Sequence, residues 1–444
     1  MKSDCETQRK RRNKQEEEDD HGLMESLPHE IILDILSRLP FSSQVQFNYV
    51  CKAWRKLARH PNLLDLQNSH KAADNNNNNL CLIFHCDYPI KNYLYFVDFP
   101  SEYHSSNDKV TVVKRIHIPF CSSMPDFVMV GSCNGMLCLS DFLFNNSLYV
   151  YNPFLRDYIE LPKSIQYPNQ EVVYGFGFHP ETKEYKVVKI IYYRKGNRSQ
   201  PIRHRYTVPP SDVQTFTLGS PKWRSLGKVY HYLAQCPEQV LVNGRLHWLT
   251  LPRRYRRGRG LVSFDLADEQ FREVQKPGDD GLKRSYYHLV VLRGCLAAVF
   301  FCSHGKLEIW IMKEYGVKES WVKEFSMPSQ IPKPPKLEVN QSFRISNLAG
   351  NGKFRVLCLL RNDEILLEYK SRIIVVYDPE SGKFKELMFQ GLPKWFQSNV
   401  HVGNLNRIDS IIGFLVVVLI SLKNGSRFLG AWWDRNLLIN LRII

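Results

Sequence analysis

A chain of 444 residues with 43% hydrophobic and 23% charged side chains has an ordinary globular composition and room for a large domain beside a small module. No positively charged start leads into an apolar run, so no signal peptide is expected, and eleven cysteines without C-x-x-C spacing argue against a zinc site and point to reduced thiols in the nucleus and/or cytoplasm. The net charge of +16 is the one departure, and two runs explain much of it: Arg194, Lys195, Arg198, Arg203 and Arg205, then Arg253, Arg254, Arg256, Arg257 and Arg259.

In chain order, residues 1–22 form a charged tail. A basic run, Arg9 to Lys14, is followed by Glu16, Glu17, Glu18, Asp19 and Asp20, and apart from Cys5 no apolar residue stands between Met1 and Leu23. Such a segment cannot bury enough surface to fold, so it is expected to be disordered. The basic run also has the composition of a nuclear import signal, nearly cancelled by its acidic neighbours.

Residues 23–68 read as helical. Ile31, Ile32, Ile35, Leu36 and Leu39 fall at i, i+1, i+4, i+5 and i+8, one stripe of a 3.6-residue period. Pro28 suits the first turn and Pro40 stops the helix. A second helical run opens near Ser42 or Ser43 and carries Val45, Tyr49 and Val50. A third carries Trp54, Leu57 and Ala58 and ends before Pro61. So short a module cannot bury this many large apolar groups by itself, so part of the stripe is expected to face another protein or, the alternative that composition alone favours, the rest of its own chain.

The order Leu27-Pro28, Glu30-Ile31-Ile32, Asp34 to Pro40, Val50-Cys51-Lys52, Trp54 and Leu57 resembles the F-box, the three-helix module that docks onto the Skp-type linker of cullin-based ubiquitin ligases. Ser42, Gln46 and Asn48 stand where that family often has Lys or Arg, and Val45 where Leu is common. The resemblance implies that Leu27, Pro28, Ile31, Ile32, Ile35, Leu36, Leu39, Pro40, Val50 and Trp54 supply the linker contact or hold it in shape. Sequence does not separate the two roles.

Residues 69–79, with the run Asn75 to Asn79, read as a linker. From 80 to 409 the period becomes strand-like, and a loose unit recurs. Hairpins are expected at 148–162, 176–190, 213–226, 261–274, 307–325 and 373–387, mostly turned by Asn-Pro, His-Pro, Asp-Pro or Gly-Ser. Further strand pairs precede several of them, at 131–140, 241–251, 290–301 and 354–368. Tight turns at Asn134-Gly135, Asn243-Gly244 and Arg293-Gly294 join three of these pairs. Four strands recurring roughly every 35 to 55 residues point to a β-propeller, and with an early unit at 80–118 the expected count is about six blades. A large β-sandwich is the rival arrangement.

These segments are similar to the F-box-associated, kelch-like β domain of plant F-box proteins. The residues that carry the likeness are Gly131 to Cys138, Tyr151-Asn152-Pro153, Gly175 to Phe178, Tyr185 to Val188, Val242-Asn243-Gly244, Leu246-His247-Trp248, Ser263-Phe264-Asp265 and Glu308 to Met312. Residues 410–444 form a divergent extension. Its apolar run 411–422 is twelve residues, short of the roughly 20 a spanning helix needs, and is expected as a buried strand with no membrane crossing.

No G-x-S-x-G, H-E-x-x-H or P-loop pattern is present, so no catalytic residue, metal or cofactor is expected. His179 and His247 sit among apolar or aromatic neighbours and read as packed. The expected function is that of a non-catalytic substrate adaptor: the F-box holds the linker and through it a cullin scaffold, while the β domain holds an unknown protein substrate for ubiquitination. Arg253, Arg254, Tyr255, Arg256, Arg257 and Arg259 are the candidate substrate contacts, since the arginine fork fits carboxylate and phosphate. The alternative is a ligase-independent binding protein whose basic loops hold an acidic, phosphorylated or nucleic-acid partner. Nucleic acid is the less expected of these, because Tyr255 is nearly the only aromatic residue interleaved with the basic runs.

Overall fold

The computed structural model describes residues 28–39, single helical positions at 50, 57, 63 and 66, His60, and residues 80–408 except 87–92, 99–110, 142–146, 168, 194–207, 235–238, 252–258, 278–285, 303–304, 330–353, 361 and 405–406. The chain divides into two units, Met1–Asn79 and Leu80–Ile444.

In the first unit, helix α1 spans His29–Arg38. It begins one residue after Pro28, whose carbonyl accepts the amides of Ile31 (3.0 Å) and Ile32 (3.3 Å). Proline lacks the N–H that a helix start leaves unpaired, so it serves there without loss. Glu30 in the first turn and Arg38 in the last match the helix dipole, and Arg38 pairs with Asp34 one turn back.

The second unit is a six-bladed β-propeller built from six four-stranded antiparallel sheets. Blades 2 to 6 begin, at their inner edges, with Phe127–Cys133, Glu171–His179, Val240–Val242, Tyr286–Leu292 and Phe354–Leu359. Blade 1 is composite. Its inner strand is the last one, Gln397–Val402, paired with Leu80–Cys86 in the register Cys81↔His401. Tyr93–Asp98 and Lys114–Ile116 complete it, so the two ends of the described β unit close the ring.

Strand pairing follows from turn chemistry. Asn134-Gly135, Asn243-Gly244 and Arg293-Gly294 all have positive φ at both positions, the geometry that two-residue hairpins require. At the outer hairpins a side-chain oxygen takes over: Asn152 Oδ1 accepts the amides of Phe154 and Leu155, Asp265 Oδ1 that of Ala267, and Asp378 Oδ1 that of Glu380. Six apolar clusters follow, one between each pair of neighbouring blades; Val290, Ile309, Val356 and Leu367, for example, join blades 5 and 6.

A propeller's inner strands leave backbone groups without a ladder partner, and here side chains supply it. Gln239 accepts the Phe176 amide at 2.7 Å and donates to the Phe176 carbonyl at 2.6 Å. His288 Nε2 accepts the Val356 amide at 3.2 Å. Glu368 accepts the Ser398 amide at 2.6 Å while Arg355, paired with Glu368, donates to the Ser398 carbonyl. Each such group left bare costs about 1–3 kcal/mol, which accounts for polar side chains in so apolar an interior.

After the closing strand the chain docks on blades 2 and 3. Asn152 Nδ2 donates to the Asn404 carbonyl at 3.0 Å, the Ile408 amide donates to Asp157 at 2.9 Å, and Ile408 is buried in the cluster between these blades. A β-carbon on Gly135 meets Asn404 Cβ at 2.5 Å, whereas one on Gly294 meets nothing within 4 Å. Both glycines have φ near +75°. Gly294→Ala is therefore expected to cost about 1 kcal/mol from backbone strain alone, and Gly135→Ala about 3 kcal/mol, since it also displaces the docked segment. Denaturant melts of the two variants compare these costs, and equal losses would remove any role of the Asn404 contact in stability.

Strands alternate in direction, so the connections between second and third strands and those between blades open on one face, opposite the tight first turns. On that face the chain leaves Tyr192 and returns at Ser211 in blade 3, and leaves Leu249 and returns at Leu261 in blade 4.

Candidate protein-binding surfaces

Helix α1 carries its apolar residues on two sides. Ile32, Leu33 and Leu36 point inward and pack with Leu57 and Leu63, with Leu39 and Leu66 partly buried against them. Ile31 and Ile35 remain 47% and 49% exposed, one turn apart, and Val50 is 63% exposed. Pro28 is also exposed. Of the residues expected here, Ile32 and Leu36 thus hold the shape, Ile31, Ile35 and Val50 face outward, and Leu39 lies between. Leu27, Pro40 and Trp54 lie outside the described residues. Sequence reading passed over Leu33 and Leu63 as core. For Leu33 the signal was present, because it stands three residues before Leu36 on the same side of the helix.

Covering a half-exposed isoleucine is worth about 1 kcal/mol, so a helix face with two of them one turn apart favours a protein partner over open water. The surrounding charges, Glu30 and the Asp34–Arg38 pair, are exposed or partly so and leave the apolar positions accessible.

In the propeller, the expected contacts Arg253, Arg254, Tyr255, Arg256 and Arg257 lie outside the described residues, as do Arg194, Lys195, Arg198, Arg203 and Arg205. Arg259 is described and partly buried. Its carbonyl accepts Lys276 Nζ at 2.8 Å and the Tyr287 hydroxyl at 3.2 Å, which anchors the end of that segment at the start of strand Leu261–Asp265.

The buried histidines serve packing. His247 contacts the Val240 carbonyl at 3.2 Å and the Tyr315 hydroxyl at 2.8 Å; His179 Nδ1 accepts the Thr182 amide. His401 Nδ1 lies 2.8 Å from Ser132 Oγ, and His85 stacks on Phe127. Burial, the main cause for all four, lowers the pKa of His85 and His247 to about 4 and of His288 and His401 to about 3; the charge of Arg355 adds to the effect at His288. Among the described residues, no group of three or more His, Cys, Asp or Glu is placed to hold a metal ion, and no helix is long and apolar enough to cross a membrane.

Residues 81–412 match the F-box associated beta propeller domain family, and residues 24–64 match the F-box-like family. The Arabidopsis thaliana F-box protein At3g07870 is 48% identical over 401 residues, covering 88% of this chain and 94% of its own. The F-box protein CPR1 of the same plant is 26% identical, covering 86% and 89%. The F-box/kelch-repeat protein At3g23880, also from Arabidopsis thaliana, is 26% identical, covering 68% and 80%.

Proposed function

The chain belongs to the F-box proteins that carry an F-box-associated β-propeller, and on that premise we propose that it is the substrate-recognition adaptor of a Skp-cullin-F-box ubiquitin ligase. The observation that carries this reading is the division of α1 into an inward side, Ile32, Leu33 and Leu36, and an outward side, Ile31 and Ile35. A helix that needed only its own unit for burial would not leave two isoleucines one turn apart in solvent. The linker covers that outward side, together with Val50.

The propeller holds the target on the face that carries the longer connections. The run Arg253 to Arg259, which in the sequence joins strand Arg245–Leu249 to strand Leu261–Asp265, meets acidic or phosphorylated groups of the target. The chain itself makes and breaks no bond. Holding target and linker at once raises the effective concentration of target lysines near a separately recruited conjugating enzyme.

The test is a titration of the purified full chain with a Skp-type linker, followed by calorimetry. Saturable binding with one linker per chain is expected. No heat and no complex at micromolar concentrations of both would overturn the adaptor reading.

A further inference from the structure

Strand Glu184–Tyr192 of blade 3 carries two buried lysines in different surroundings. Lys186 meets Glu269 at 3.0 Å and Glu184 at 3.3 Å, and donates to the Leu266 carbonyl at 2.7 Å. Lys189, three residues on, is 0% exposed, and among the described residues no carboxylate pairs with it. Its amine lies 2.7 Å from Ser164 Oγ and, at the limit of a hydrogen bond, 3.5 Å from the Ile165 carbonyl.

The neighbouring strands supply no counter-charge. Lys189 stands opposite Tyr174 on one side and Gln214 on the other, and paired residues project to the same face of a sheet. Gln214 donates to Asp212 at 2.9 Å and Asp212 also accepts the Ser225 hydroxyl at 2.7 Å, so the one acid of strand Ser211–Thr217 is engaged elsewhere. Burial therefore favours the neutral amine and lowers the pKa of Lys189 to about 8. A tie between blade 3 and the chain around Ser164 does not call for this arrangement. A neutral hydrogen-bonding side chain, or an apolar one, would hold the segment without an unpaired buried cation.

Ser164 lies in the connection between strands Asp157–Glu160 and Glu171–His179. It is partly exposed, and Ile165 beside it is 60% exposed. A part-exposed serine whose hydroxyl is hydrogen-bonded to a desolvated amine has what an ordinary serine lacks, a base that takes the hydroxyl proton as the oxygen attacks. At pH 7 about a tenth of an amine with this pKa is neutral and able to do so.

We propose that Ser164 and Lys189 form a nucleophile and base pair, and that Ser164 accepts an acyl group from an activated acyl ester. The neutral amine removes the hydroxyl proton while Oγ bonds to the carbonyl carbon. The bond from that carbon to the leaving oxygen then breaks, and the proton passes from Lys189 to the leaving oxygen. A serine ester and a free alcohol result, with no oxidation or reduction. The chain is here the molecule modified. The reaction stands apart from the transfer of ubiquitin, in which the chain makes and breaks no bond, and it does not rest on the adaptor reading.

The experiment incubates the full chain with p-nitrophenyl acetate, follows the release of nitrophenolate and locates the acetyl group by peptide mapping. An acetyl ester is expected at Ser164 in the parent chain, and its share of the nitrophenolate is expected to vanish in Ser164→Ala. Lys189→Met, which keeps the length and burial of the side chain, is expected to slow acetylation of Ser164 by about a hundredfold or more, as removal of a general base does. Lys189→Arg keeps a cation and its hydrogen bonds but stays protonated, and is expected to be as slow. Thermal melting of each variant near the parent temperature separates loss of the base from loss of the fold. A parent chain that gains no acetyl group at Ser164 overturns the proposal whatever the variants do. So does a folded lysine variant that acetylates Ser164 as fast as the parent.

Discussion

Replacing both Ile31 and Ile35 with aspartate is expected to weaken linker binding about a thousandfold while leaving the N-terminal unit folded. Each side chain is half exposed, so its removal takes little from the unit's own core, while on the adaptor reading each is an interface anchor. Losing the cover of each isoleucine costs about 1 kcal/mol and pressing an unpaired carboxylate against the partner costs at least about 1 kcal/mol more, so two such positions give about three powers of ten. A lysine pair at the same positions should give the same loss without the lower helix propensity of aspartate.

Leu36→Asp is the contrasting variant. Leu36 is 1% exposed among Leu33, Leu57 and Leu63, and an unpaired carboxylate there costs more than about 4 kcal/mol, enough to unfold so small a unit. It too loses the linker, but by unfolding, which proteolysis of the first 79 residues detects. If the Ile31 and Ile35 variants bind like the parent chain, the outward side of α1 is not the linker surface.

The propeller is expected to lose stability steeply in mild acid, at about 5 kcal/mol per pH unit near pH 5, from His85, His247, His288 and His401 alone. Their folded pKa values, about 4, 4, 3 and 3, lie below the ordinary histidine value of about 6.5. A base with a depressed folded pKa binds its proton more readily when unfolded. Its contribution is therefore complete above about pH 6.5 and is lost as pH falls from there towards the folded values. At pH 5 the unfolded chain holds nearly four more protons at these sites than the folded one, and each contributes about 1.4 kcal/mol per pH unit to the slope.

The geometry agrees with the direction. His288 Nε2 accepts the Val356 amide and must be unprotonated to do so, and neither ring nitrogen of His85 has a partner among the described residues. His85→Phe keeps the stack on Phe127 and removes one titrating group. Guanidinium unfolding between pH 7 and pH 4 should show the parent slope and a slope lower by about 1.4 kcal/mol per pH unit in the variant. A parent slope near zero in this range would mean that these histidines are protonated without cost.

Much of the architecture was legible because it is local. An Asn-Gly pair with positive φ at both residues closes a hairpin wherever it falls between strands, so Asn134-Gly135 and Asn243-Gly244 announce their strand pairs, and the spacing of such units announces a propeller. Likewise the order and spacing of Leu27 to Leu57 identify the F-box. Which face of α1 is buried was not legible. Ile31, Ile32, Ile35 and Leu36 make one broad stripe, and only the packing of Leu57 and Leu63 against one side of it separates core from surface.

Ring closure was equally hidden. The early unit at 80–118 reads as a blade of its own, yet it supplies three strands and waits for Gln397–Val402 to complete it, a pairing across about three hundred residues that periodicity cannot encode. The same holds for the polar interior. His288, Gln239 and Glu368 look like scattered polar residues in apolar strands until the ring brings each against an unpaired inner-strand amide. By itself, then, the sequence determined the strands, their turns and the family, all set by neighbours along the chain. The tertiary structure alone decided which isoleucines stay exposed, which strands close the ring, and which polar side chains meet the unpaired inner-strand groups, because each of these depends on what distant segments bury.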